Sequence, residues 1–191
     1  MKKKIICIAL TIASTSVFSV SAFDLSGTEF ELAAKRYNLD PALLYSVALA
    51  ESAYARGDNN VSPWPWTLRT IKQPYYALDK DEAAAQLAKL IKDKGNKASI
   101  DIGLMQINLF WHGHRVESPQ DLLDPVINLN TGAKILSETI ASASGDLELG
   151  IGRYHNWKDK VLLRSYGKRV LSIYNQISNL RENSYASNYD N

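Results

Sequence analysis

Asp40-Pro41-Ala42-Leu43-Leu44-Tyr45-Ser46-Val47-Ala48-Leu49-Ala50-Glu51-Ser52 is the stretch on which the reading of this chain turns. Asp40 is a good N-cap and Pro41 fits the first helical position, so a helix is expected to open here and to run to about Tyr54. Leu44, Val47, Ala48 and Glu51 fall at i, i+3, i+4 and i+7, which places Glu51 on the apolar face. A carboxylate there loses hydration, its pKa rises, and it can hold a proton near neutral pH as a general acid must. The other reading of the same pattern is a structural glutamate paired with a buried arginine or an amide.

Outward from that helix the pattern stays helical. Thr28 to Glu31 reads as a capping box opening a helix that ends near Tyr37. Asp81 to Lys94 carries Ala84, Leu87, Leu90 and Ile91 on one face and stops at Gly95. Asp124-Pro125 opens a helix with Leu129, Ala133, Leu136 and Ile140 on one stripe, ending near Gly145. Another follows Asp146, with Leu147, Ile151 and Tyr154 aligned, and a last one spans about Lys158 to Leu180 with Leu163, Tyr166, Val170, Tyr174 and Ile177 inward. Between Gly57 and Ile102 lies a small insertion. Trp64 to Leu78 is aromatic and broken by prolines, so short strands or loops are expected, with Pro65 and Pro74 confining any strand to an edge; Asn96 to Ile102 is a further candidate strand. The fold class is mainly α.

At the N-terminus, Lys2, Lys3 and Lys4 precede an uncharged apolar run from Ile5 to about Val20, followed by Val20-Ser21-Ala22. This reads as a signal peptide, residues 1–22, with cleavage expected after Ala22. It leaves 169 residues (191 − 22), one domain spanning 23–180 and a polar tail at 181–191. The removed lysines turn 22 basic and 20 acidic side chains into a balance of 19 − 20 = −1. No cluster of Lys and Arg marks a nucleic-acid partner. Cys7, the only cysteine, leaves with the signal, so neither disulfide nor thiol chemistry is expected in the mature chain.

Gly103-Leu104-Met105-Gln106-Ile107-Asn108 alternates apolar and amide side chains, and such amides either bind sugar hydroxyls and N-acetyl groups in a mostly apolar cleft or satisfy loop backbone. Trp64, Trp66, Trp111, Trp157, Tyr75 and Tyr76 offer flat faces of the kind that stack on pyranose rings or pack in a core. His112-Gly113-His114 supplies two imidazoles without a third ligand at metal spacing, so no metal and no cofactor are expected.

Ala50-Glu51-Ser52, then Gly103 to Asn108, then Asp124-Pro125 with Asn128 and Gly132, then Tyr154-His155, together resemble the lytic transglycosylases of the soluble type (SLT), a branch of the lysozyme-like superfamily. The resemblance runs from about Phe30 to Trp157. Trp64-Pro65-Trp66-Thr67-Leu68 is similar to a segment of the specialised members that accompany type III and type IV secretion and conjugation systems. The resemblance implies a goose-type lysozyme-like helical fold, peptidoglycan glycan strands as substrate, and components of such an apparatus as partners, while the expected signal peptide implies a periplasmic location. It makes Glu51 the lone acid and base that cleaves the β-1,4 bond between N-acetylmuramic acid and N-acetylglucosamine, leaving 1,6-anhydromuramoyl ends. It further implies that Ser52 orients bound sugar or a backbone group, that Gln106 and Asn108 line the cleft, and that Tyr154 reaches the catalytic carboxylate. His155 stands where the family's Ala-Tyr-Asn motif has asparagine, as it often does in the specialised branch, and is expected to bind substrate beside Tyr154. Two rivals remain: a hydrolytic muramidase using Asp58 or Asp101 as a second carboxylate, and a non-catalytic wall-binding module.

Overall fold

The computed structural model describes residues 23–55, 57, 60–95 and 98–189. The expected signal segment, its cleavage point, Cys7 and Asp58 lie outside the described residues. In chain order the elements are α1 (Glu29–Arg36), α2 (Pro41–Ser52), β1 (Ala53–Ala55), β2 (Val61–Pro63), β3 (Thr67–Arg69), β4 (Pro74–Tyr76), α3 (Lys80–Lys94), β5 (Asp101–Ile102), β6 (Ile107–Asn108), α4 (Leu109–His112), α5 (Pro125–Ala141), α6 (Leu147–His155) and α7 (Lys160–Tyr189). Two 3-10 turns, Gly113–Arg115 and Pro119–Leu123, join α4 to α5. The fold is mainly helical, with two small antiparallel sheets formed by the insertion and the segments flanking it.

Helix starts follow from local chemistry. Thr28, Asp40, Asp79, Asp124 and Asp146 each accept backbone N–H bonds from the first turn of the helix that follows. The Glu31 carboxylate reaches back to the Gly27 N–H at 2.8 Å, one residue before the cap, so the capping box closes slightly wider than its pattern implies. The long helices pack α2 and α6 against α7, with α5 against α6 and α1. Leu44, Leu129, Leu136, Ile151 and Val170 are fully or almost fully buried between them. Each such side chain contributes about 1.5–3 kcal/mol by leaving water, and this continuous core fixes where the end of α2 lies.

Three boundaries differ from the sequence reading. Helix α2 stops at Ser52, because residues 53–55 turn extended and pair antiparallel with 61–63, Ala53 opposite Pro63. Tyr54 has helical spacing, but its ring stacks on Tyr76 and tilts onto Trp64 instead. The second sheet has the order β4-β3-β5-β6, with Pro74 on the edge strand β4 as its missing N–H requires. Of the expected strand from Asn96 to Ile102, the first two positions lie outside the described residues, and among the described ones only Asp101–Ile102 pairs as a strand. Helix α7 continues to Tyr189, beyond Leu180 where its apolar stripe ends.

Candidate functional site

Glu51 is the last residue but one of α2, where the helix presents carbonyls with no intrahelical partner. Two guanidinium groups from distant elements close that end: Arg169 of α7 donates to the Ala50 carbonyl at 3.2 Å, and Arg69 of β3 donates to the Glu51 carbonyl at 3.3 Å. Cations at a helix C-terminus also oppose the negative end of its dipole. Ser52 is wholly buried, and its hydroxyl lies 2.7 Å from the Leu104 carbonyl and 3.1 Å from that of Ala48. Of the two roles open to it, sugar or backbone, Ser52 takes the backbone and stitches α2 to the 103–108 turn.

That turn is held from beneath. Asn128, fully buried on α5, accepts from the Met105 N–H at 2.8 Å and donates to the carbonyls of Ile102 and Leu122 at 2.7 and 2.9 Å. Gly103 has φ +80°, and a Cβ there would sit 2.2 Å from Asn128 Nδ2; a Cβ on Gly132 would sit 2.5 Å from Met105 Cβ. The Tyr154 hydroxyl donates to the Met105 carbonyl at 2.7 Å. Asn128, Gly132 and the Tyr154 hydroxyl therefore clamp the backbone of one turn. The proton of Tyr154 points to that turn and not to Glu51, although its ring lines the cavity.

The amides of the turn divide their work. Gln106, at φ +45°, donates from Nε2 to the carbonyls of Thr67 and Gly103 at 3.0 and 2.8 Å, which leaves its buried Oε1 without a partner. Asn108 donates to Asp101 Oδ1 at 2.7 Å and to Ser99 Oγ at 3.0 Å, while its Oδ1 accepts from the Trp111 N–H and caps α4. Glu51, Arg69, Asp101, Gln106, Asn108, Tyr154 and His155 all line one cavity of about 280 Å³.

In that cavity burial pushes the Glu51 carboxyl from 4.5 up to about 7. The Tyr166 hydroxyl and the charges of Arg169 and Arg69 pull it down, and Asp101 pushes it up. Burial also raises the Asp101 carboxyl, against the Asn108 amide and Arg69. Tyr166 of α7 lies against the Glu51 carboxylate, yet no bond of good geometry closes and its buried hydroxyl is otherwise unpartnered. His155 Nδ1 stands 4.0 Å from Glu51 Oε1, and its ring stacks on Tyr166 with centroids 4.6 Å apart and planes 5° apart. Burial, then Arg169 and Arg69, lower the His155 pKa, so the imidazole is neutral at pH 7 and the contact is no ion pair. A buried, protonated carboxyl beside a neutral imidazole and a phenol can deliver a proton and take it back.

Sequence reasoning brought Glu51, Gln106, Asn108, Tyr154 and His155 to this cavity and missed Tyr166, Arg69 and Arg169. Tyr166 sits on the inward stripe of α7, where spacing marks it as core and nothing marks it as facing a carboxylate. Of the aromatic residues singled out for stacking, Trp111 lines the Glu51 cavity with 66% of its surface exposed, and Trp157, 59% exposed, lies in the adjoining one. Trp64 instead donates to the Ala77 carbonyl and packs edge-on to Trp66 in an aromatic corner. His112 lines the cavity.

A family model described as the transglycosylase SLT domain matches residues 29–175. No curated protein and no solved structure gives a significant match.

Proposed function

The chain belongs to the transglycosylase SLT domain family, and from that premise we propose that it is a lytic transglycosylase of peptidoglycan with Glu51 as its acid and base. The observation that carries the reading is a buried carboxyl with a pKa of about 7 lining a cleft cavity. At neutral pH Glu51 holds its proton in a large fraction of molecules and gives it to the glycosidic oxygen as the bond to the muramoyl C1 breaks. The positive charge that develops on the sugar is met by its own acetamide. Glu51, now a carboxylate, removes the proton from the muramoyl C6 hydroxyl, O6 bonds to C1, and the acid is restored. The hydroxyl is tethered to the reacting ring, so it outcompetes water by effective concentration.

The segment Trp64-Pro65-Trp66-Thr67-Leu68 supports a narrower role, opening the wall for a type III or type IV secretion or conjugation apparatus. The basic and apolar N-terminus supports work in the periplasm. A second reading has one observation in its favour: Asp101 lines the same cavity, and its charge is felt by Glu51. A hydrolytic muramidase would use it as the second carboxylate. Against it, Asp101 is engaged by the Asn108 amide. Mass spectrometry of soluble products from purified cell wall tests both readings. Anhydromuramoyl ends are expected. Reducible muramic ends, about 18 mass units heavier by the added water, would give the site to hydrolysis instead.

A further inference from the structure

His155 is the last residue of α6, and 47% of its side chain is exposed against 12% for Glu51. Its ring lies flat on Tyr166, whose ring in turn packs against the Arg169 guanidinium, 5.3 Å from the ring centroid. Held in this stack, Nδ1 stands 4.0 Å from Glu51 Oε1. That spacing is too long for a hydrogen bond between the two groups, yet a single oxygen placed between them lies about 2.8 Å from each. The charged groups that face the ring are Glu51 of α2, Arg69 of β3 and Arg169 of α7, with the Tyr166 phenol against its plane. Asp101, His112 and Tyr154 line the same cavity. Glu51 holds its proton up to about 7, whereas burial and the two guanidinium groups strip the imidazole of its own below the usual 6.5. Neighbouring groups whose surroundings push them apart in this way divide acid and base between them.

We propose that His155 is a second catalytic residue, the group through which the proton of the muramoyl C6 hydroxyl returns to Glu51. The inference rests on the reading of Glu51 as the acid of a transglycosylase and adds the route of the second proton. With the C6 oxygen between the two side chains, Nδ1 accepts from the hydroxyl, which requires the imidazole proton to sit on Nε2. Glu51 protonates the glycosidic oxygen and the bond to C1 breaks. As O6 bonds to C1, the O6–H bond breaks and its proton passes to Nδ1, leaving an imidazolium beside a carboxylate. Before cleavage the carboxyl is neutral and does nothing for the basicity of the ring. Once it has given up its proton, a negative charge 4.0 Å away raises that basicity at the moment a base is needed. The carbonyl end of α6 also favours the cation. The Nδ1 proton then crosses to the carboxylate, through one water or a side-chain movement of about 1 Å, and both groups are neutral again.

His155→Asn tests the route, because asparagine is the residue the family's motif carries here and Glu51 is left in place. Initial rates of the native full chain on soluble glycan strands should trace a bell against pH. Its alkaline limb is set by Glu51 near 7 and its acid limb by His155 below 6.5. In His155→Asn the acid limb should vanish. The kcat at the optimum should fall about tenfold, short of the hundredfold of a sole base because the carboxylate can still take the proton directly, while KM changes by less than about twofold. A raised KM at unchanged kcat would overturn the proposal and make His155 a sugar-binding residue. An acid limb that survives would overturn it too, and pass to Asp101 or His112. Nitrogen NMR of the native protein reads the tautomer without turnover: Nε2–H is expected, and a proton resident on Nδ1 at neutral pH would refute the route. The two readings fail separately. A Glu51→Gln protein of native activity removes the acid itself, whereas an inactive Glu51→Gln beside a His155→Asn protein of unaltered kcat and pH profile removes only the second proton's path.

Discussion

Replacing Glu51 with glutamine should remove activity and, above neutral pH, make the protein more stable. The amide keeps the shape of the side chain but cannot give up and reclaim a proton, so a loss on the order of a hundredfold or more in turnover is expected. The stability effect follows from linkage. A carboxyl at 4.5 when unfolded and about 7 when folded binds its proton more tightly in the folded state. Its contribution is therefore fully present below pH ~4.5 and is lost as pH rises through about 7. Between pH ~5 and ~8 the loss comes to about 2.5 kcal/mol, from about 1.4 kcal/mol per pKa unit. The 12% of the side chain that remains exposed to cleft water makes this a ceiling. For a domain of this size it corresponds to roughly 5–10 °C in melting temperature. The assay is thermal unfolding of both proteins at several pH values, read as the difference between them, since shifts at other groups largely cancel. Glu51→Gln should gain on the native protein steadily as pH rises. A difference that stays flat across this range would show that Glu51 is an ordinary solvated carboxylate and remove the physical basis for its role.

Three further outcomes follow from the same geometry. The kcat/KM for cell-wall digestion should fall on the alkaline side with a midpoint near the Glu51 value of about 7, measured as initial rates against pH. Tyr166→Phe should move that alkaline limb to higher pH, because the hydroxyl lowers the Glu51 pKa; melting should change little, since the hydroxyl has no well-formed bond to lose. Asn128→Ala removes three buried hydrogen bonds at once and leaves the Met105 N–H and two carbonyls unsatisfied. It should cost roughly 3 kcal/mol or more in denaturant unfolding and reduce activity by releasing the turn that carries Gln106.

What could be read in the sequence was what has a period or a local partner. Helix starts at Asp40, Asp124 and Asp146 were legible because a capping carboxylate and the N–H groups that donate to it lie within three residues. Glu51 was legible because a carboxylate on an apolar stripe contradicts its own pattern. Tyr166 contradicts nothing, since an inward tyrosine on a long helix is ordinary core. Arg69 and Arg169 were out of reach for another reason: each acts on a carbonyl of α2, and a backbone acceptor leaves no trace in residue identity. The amides were half legible. Gln106 and Asn108 do line the cavity, but their bonds go largely to backbone and neighbours, and alternation alone cannot distinguish those partners from sugar.

The paired guanidinium groups at the end of α2 tie the chemistry to the order in which the chain is made. Ala50 and the arginine that holds its carbonyl are 119 residues apart, and the tyrosine facing Glu51 comes from the same late helix. A chain growing from its N-terminus exposes Glu51 long before either arrives. Until α7 docks, that glutamate is hydrated, its pKa is ordinary, and it has no proton to offer at neutral pH. The acid of the site is thus armed by the closing helix of its own fold.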